Sequence, residues 1–250
     1  MNADSNEEAV YIEELMKRFK LVDIRNEYQG LVREATESNM SHLEFLKRLL
    51  EIEAEGKNNR KQERLRNAAG FETMKKLEDI DYSFNPSLDY NKITELGKLG
   101  FIDAHENVII IGPPGVGKSM IATGIGLNAC NAGYKVLFIN AKDLVDQMYE
   151  RMQEGYLREA LTKLQKVQLL IIDELSYLKM DKEKESLFFQ IIRQRYEKGS
   201  LIITTNLPMG RWDEIFTGKL AATAILDRLV HHCHVISITG ESYRVKGKKN

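Results

Sequence analysis

The segment that most constrains this chain is Gly112, Pro113, Pro114, Gly115, Val116, Gly117, Lys118 and Ser119, which fits G-x-x-x-x-G-K-[ST] directly after the apolar run at 108–111. A loop of this kind works only between a strand and a helix. Its glycines let the backbone curl until the N–H groups point at phosphate oxygens, and the N-terminus of the following helix, entered through Met120, adds positive potential. In that arrangement Lys118 reaches β and γ phosphates and the Ser119 hydroxyl ligates Mg²⁺. A chance match in a Gly-rich loop is the competing explanation, and the flanking strand and helix count against it.

The flanks belong to a longer pattern. Short β-rich runs at 108–111, 135–139, 168–172, 201–205 and 234–238 alternate with helical runs at 120–132, 142–152, 156–165, 182–197 and 211–230. The run Leu169, Leu170, Ile171, Ile172 is wholly apolar, as expected of a strand covered on both faces. Alternation at this spacing predicts an α/β domain with a parallel central sheet.

Upstream the period is helical. Ile12, Leu15, Met16 and Phe19 recur at helical spacing, then Leu43, Leu46, Leu49 and Leu50, with Ser41 and Glu44 forming an S-x-x-E capping box that opens the second helix. The expected organisation is a small all-α domain over 1–69 followed by the α/β domain over 70–250, with Asn85, Pro86 and Ser87 as a turn signal. The helical region ends in a basic stretch, 57–66, carrying five positive charges against one negative. Such a face either contacts DNA phosphates or is simply solvated. Overall charge does not decide between these, because 36 basic residues nearly cancel 37 acidic ones.

Two cysteines, Cys130 and Cys233, make no disulfide framework. The start of the chain is acidic and polar, unlike a secretory signal, and no apolar run approaches the roughly 18 residues of a membrane span. A cytoplasmic protein without a membrane partner is expected.

Further chemistry sits at strand ends. The run 169–172 closes on Asp173 and Glu174. Carboxylates at that edge of a parallel sheet face the ligand crevice. There Asp173 would hold Mg²⁺ and Glu174 would activate an attacking water; the plainer alternative is a pair of solvated surface acids. Asn206, after the run 201–205, is suited to bonding the attacking water or the γ-phosphate, or equally to the turn chemistry of Asn-Leu-Pro. Arg228 either pairs with Asp227, or is solvated, or is an arginine finger for a neighbouring subunit's γ-phosphate. His231, His232, Cys233 and His234 are too close in sequence to converge on one ion and read as a helix end entering a strand. The expected catalytic set is Glu174, Lys118, Asn206 and Arg228, with ATP and Mg²⁺ as ligands.

Together these elements resemble an AAA+ ATPase of the additional-strand class of P-loop proteins. A GTPase would need N-K-x-D after the loop, whereas Asn91-Lys92 precedes it; an ABC ATPase would need L-S-G-G-Q, which Leu175-Ser176-Tyr177 is not. Closer still, Asp173-Glu-Leu-Ser-Tyr177, the segment 188–195 with Arg195-Tyr-Glu197, Leu226-Asp-Arg-Leu-Val-His-His232 and Gly240-Glu-Ser-Tyr-Arg244 resemble the IstB-like transposition helper ATPases. So do Asp81-Tyr-Ser-Phe84, Leu43-Glu-Phe-Leu46 and Ala69-Gly-Phe71. The resemblance implies a homo-oligomeric ring or spiral that uses ATP to assemble on double-stranded DNA, remodels it, and recruits and stimulates the partner transposase of the same element. It also implies a sensor-1 role for Asn206, the finger role for Arg228 and a sensor-2-like role for Arg244. With six residues after Arg244, the usual helical lid of AAA+ proteins is not expected. The alternatives are a DnaC-type replicative helicase loader, which shares the core, and a binding adaptor with an inactive nucleotide site.

Overall fold

The computed structural model describes residues 3–83, 85–178, 180–240 and 242–243. The chain divides into two compact units, Met1–Glu63 and Arg64–Asn250. The division expected from sequence at 69/70 lies at the end of a helix; the compact units part inside that helix.

The first unit is helical. It contains α1 (Ala3–Arg18), α2 (Val22–Glu37) and most of α3 (His42–Ala68). The capping box therefore opens the third helix, not the second. The Glu44 amide donates to Ser41 Oγ at 3.2 Å, and α2, which buries Ile24 and Leu31, intervenes before it. α2 begins without a capping side chain of its own, because Leu21 stands at its N-cap. Glu53 on α3 substitutes for one. Its Oε2 accepts from the amides of Asp23 at 3.0 Å and Ile24 at 3.2 Å, satisfying two of the donors that a helix start leaves unpaired. The carboxylate is buried, with Lys57 and Arg60 both 3.5 Å from its other oxygen. Losing a cap or a buried partner of this kind costs about 1–3 kcal/mol. Glu53→Ala is thus expected to speed hydrogen exchange of the first α2 amides about tenfold or more in the intact chain. Unchanged exchange would rule out this capping role.

The second unit is a three-layer α/β domain. In chain order it comprises α4 (Tyr90–Gly97), α5 (Gly100–Asp103), β1 (Asn107–Ile111), α6 (Lys118–Asn131), β2 (Val136–Asn140), α7 (Ala141–Gln153) and α8 (Leu157–Gln165). It continues with β3 (Leu169–Asp173), α9 (Lys182–Arg195), β4 (Ser200–Thr205), α10 (Lys219–Val230) and β5 (Cys233–Ser237). The five strands are parallel in the order β2-β3-β4-β1-β5, so β4 is inserted between β1 and β3. Each strand lies within one residue of its sequence expectation.

Strand period explains the two cores. Leu170 and Ile172 of β3, with Ile109 and Ile203, face the layer formed by α7 to α10. Leu169 and Ile171, with Val108, Ile110 and Ile202, face α4, α5 and α6. Because the sheet is covered on both sides, β3 is buried at every position. The strand ends that carry polar residues collect at one edge, where Asn140 registers with Asp173.

The helix expected over 211–230 is broken. A 3₁₀ segment, Met209–Glu214, precedes α10, and Trp212 within it and Ile215 and Phe216 after it are buried. Trp212 and Phe188 both lie against Phe216, with ring centroids 6.4 and 5.8 Å from it. Glu185 anchors the break, accepting from the Thr217 amide at 2.5 Å and its hydroxyl at 3.0 Å. With its amide taken by Glu185, Thr217 leaves the helical ladder, and α10 starts anew after Gly218 at its N-cap.

Arg195 pins the opposite edge of the sheet. Its buried guanidinium donates to the carbonyls of Leu164, Val167, Gln168 and Ser200 at 2.9–3.2 Å. Burial lowers its pKa to about 10, so the charge persists at neutral pH.

Candidate active site

The phosphate loop leaves β1 at the polar edge of the sheet and delivers α6. Gly115 (φ 81°) and Gly117 (φ 98°) are left-handed, a conformation that costs other residues about 1–2 kcal/mol. At Gly115 close approach adds a second constraint, since a Cβ there would lie 2.1 Å from Ser242 Oγ. The Tyr243 amide also donates to the Gly115 carbonyl at 2.9 Å. The loop forms one wall of a cavity of about 350 Å³, a size suited to a small-molecule ligand. Ile80, Leu88, Met120 and Phe138 line its apolar part, and Lys118, Ser119, Glu174 and Asn206 its polar part.

Lys118 is buried at the first position of α6. Its ammonium donates to the carbonyls of Gly112 at 2.8 Å and Pro113 at 2.9 Å, and to Asn206 Oδ1 at 2.6 Å. Residues 88 apart in sequence thus meet at the head of the loop. The Asn206 amide in turn donates to Ser176 Oγ at 3.0 Å, fixing the turn after β4.

The Ser119 hydroxyl donates to Asp173 Oδ1 at 2.9 Å. A hydroxyl beside a buried carboxylate is an oxygen-donor pair suited to Mg²⁺, which takes one or two protein oxygens and keeps several waters. Thr204 donates to the same carboxylate oxygen. Glu174 follows in the left-handed region at φ 58° and ψ 42°. It is exposed on the cavity wall and accepts from Asn140 Nδ2 at 3.2 Å. Asn140 is itself held, because its Oδ1 caps α7 through the Lys142 amide at 3.0 Å.

Three polar residues at this edge, Asn140, Ser176 and Thr204, escaped the sequence reading. The order β2-β3-β4 brings Asn140 and Thr204 to the two acidic residues and Ser176 to the Asn206 backbone amide.

Arg228 is elsewhere. It does not line the cavity of its own chain among the described residues. Its guanidinium lies 4.8 Å from the Phe189 ring centroid and donates to Ala224 O at 2.7 Å. Of residues 231–234, Cys233 and His234 enter β5, while His231 and His232 stay side by side with ring centroids 4.3 Å apart. His234 bonds Glu106 at 2.7 Å, and the Cys233 thiol is pushed by burial to about 11. His231 and His232 stay on the surface, where their ring nitrogens lie within 4.8 Å of a Glu197 carboxylate oxygen. In the basic stretch of α3, Arg60 pairs with Asp23 at 2.5 Å and Arg66 bonds Asn131 at 2.6 Å. The sequence expectation for Arg244 lies outside the described residues.

A parallel sheet ordered β2-β3-β4-β1-β5, with a phosphate loop between β1 and α6, defines an AAA+ P-loop protein. The family model described as IstB-like ATP binding protein matches residues 14–250, and the chain belongs to that family. It is 39% identical to the protein assigned as the ATP-binding protein of insertion sequence IS21 from Pseudomonas aeruginosa, over 95% of this chain and 90% of the relative. It is 40% identical to the corresponding IS5376 protein of Geobacillus stearothermophilus, over 95% of each chain. Among solved structures, DnaI superposes with a TM-score of 0.56 at 21% identity, covering 66% of this chain and 91% of that one. The replication initiator DnaA bound to AMPPCP and single-stranded DNA superposes with a TM-score of 0.58, also at 21% identity, covering 69% of this chain and 52% of that one. At that identity the likeness is one of fold. No described helix is long and apolar enough to cross a membrane.

Proposed function

We propose that this chain binds ATP with Mg²⁺ in the cavity over residues 112–120, hydrolyses it, and uses the bound nucleotide to assemble on duplex DNA as helper to the transposase of its insertion sequence. One observation carries the nucleotide part. The Ser119–Asp173 and Lys118–Asn206 pairs stand side by side at the head of one phosphate loop.

In this reading the loop amides and Lys118 hold the β and γ phosphates, Lys118 exchanging loop carbonyls for phosphate oxygens. Ser119 and Asp173 hold Mg²⁺, which neutralises charge on the phosphates when bound. Asn206 stays beside Lys118 and orients the water that attacks the γ-phosphate. Glu174 takes that water's proton, and the Asn140 amide fixes where its carboxylate waits. Arg228, outside its own cavity, serves a neighbouring subunit, which makes turnover depend on assembly.

The DNA and transposase parts rest on kinship. Relatives aligned over nearly their whole length belong to insertion sequences, while the likeness to the DnaI structure stops at fold. An inactive adaptor is disfavoured by the presence of Lys118, Asp173 and Glu174 together.

Turnover of ATP by the purified chain, with and without linear duplex DNA at low salt, tests the reading. Slow hydrolysis stimulated by DNA is expected. Hydrolysis indifferent to DNA would remove the assembly role, and nucleotide binding without hydrolysis under either condition would leave the adaptor.

A further inference from the structure

We propose that Thr204 is a positioning residue of this site, whose hydroxyl locks the Asp173 carboxylate and the Glu174 backbone into a single arrangement. The inference rests on the ATPase reading above and concerns a residue outside the phosphate loop and the carboxylate pair.

Thr204 is fully buried in β4, next to β3 in the sheet, where Ile203 registers with Ile172. Its side chain makes two bonds. Oγ donates to Asp173 Oδ1 and accepts from the Glu174 amide at 3.0 Å. The direction of both is forced, since an N–H only donates and an ionised carboxylate only accepts. A hydroxyl has one donor and spare acceptor capacity, so it is the smallest side chain able to serve both neighbours.

The consequences differ for the two acids. On the Asp173 side, Thr204 and Ser119 converge on the same oxygen. That fixes the rotation of the carboxylate, and with it the oxygen presented beside the Ser119 hydroxyl. On the Glu174 side, the chain turns left-handed directly after β3, at φ 58°. A non-glycine residue is held there only when its surroundings determine it. The Thr204 hydroxyl holds the amide at the pivot of that turn, and the turn carries the Glu174 side chain to the cavity wall where Asn140 meets it. Metal ligand and base are therefore set by one buried hydroxyl from the inserted strand.

Thr204→Val keeps the shape and removes both bonds, whereas Thr204→Ser keeps the bonds and removes a methyl group. Substituting a group that orients a metal ligand costs typically about 10–100-fold in activity or metal affinity. The Val variant is expected to lose turnover by that factor and to need more Mg²⁺ for half-maximal rate. Its binding of a fluorescent ATP analogue in EDTA should match that of the parent. The Ser variant should restore both turnover and Mg²⁺ dependence.

A Val variant equal to the parent in turnover and Mg²⁺ dependence would overturn the inference. So would a Ser variant that falls as far as the Val variant, because packing would then be the cause. A parent that binds no analogue in either Mg²⁺ or EDTA would instead remove the nucleotide reading itself, and this inference with it.

Discussion

Arg228→Ala is expected to lower ATP turnover by about 10³–10⁵-fold while leaving nucleotide binding by a single subunit unchanged. The position of the residue separates these two effects. It lies on α10, outside the cavity of its own chain, so truncating it removes nothing from that cavity's lining. Its present contacts, a stack on Phe189 and one bond to Ala224 O, are modest. A cation–π contact between partly buried groups is worth about 0.5–2 kcal/mol. The transition-state contribution asked of a finger is roughly 4–7 kcal/mol, at 1.36 kcal/mol per tenfold. The stack can therefore store the side chain without preventing its use by a neighbour. Mixing gives a sharper test than the single variant. Arg228→Ala subunits keep an intact Glu174, and Glu174→Gln subunits keep an intact arginine. A mixture of two inactive variants should recover part of the parental rate through sites built from one of each. Absence of recovery, together with loss of nucleotide binding in Arg228→Ala alone, would assign the arginine a structural part on Phe189.

Glu174→Gln should abolish measurable hydrolysis, a loss of about 10²–10⁴-fold for removal of a general base, without weakening ATP binding. The side chain is exposed on the cavity wall, and its neighbour is the Asn140 amide. A neutral amide of the same shape fits that place and removes only the proton acceptor. The variant should hold ATP and stay in the ATP-bound state, which makes it the tool for trapping an assembly. Retention of even a tenth of the parental rate would show that another group takes the proton.

The parts legible in the sequence are those whose chemistry is local. Eight consecutive residues specify the phosphate loop, and five short β-rich runs specify strands to within one residue, most plainly β3, whose wholly apolar run 169–172 matches burial on both faces. Strand order is not written locally. Asn140, Ser176 and Thr204 became visible only once β2, β3 and β4 lay side by side, since their partners are more than 25 residues away. For the same reason α2 gave no N-terminal signal. Its cap, Glu53, is supplied from α3, 30 residues beyond the Asp23 amide that it accepts. The break before α10 was hidden because Trp212 and Phe216 fit a helical period, whereas the Thr217 amide is taken by Glu185, 32 residues away.

Sedimentation velocity of the Glu174→Gln variant, with linear duplex DNA and Mg²⁺, in the presence and absence of ATP, tests whether bound nucleotide drives assembly on DNA. A large, discrete species containing protein and DNA is expected only with ATP, and its parental counterpart should decay as ATP is consumed. A protein that sediments as a single chain with DNA and ATP at low salt would contradict nucleotide-driven assembly.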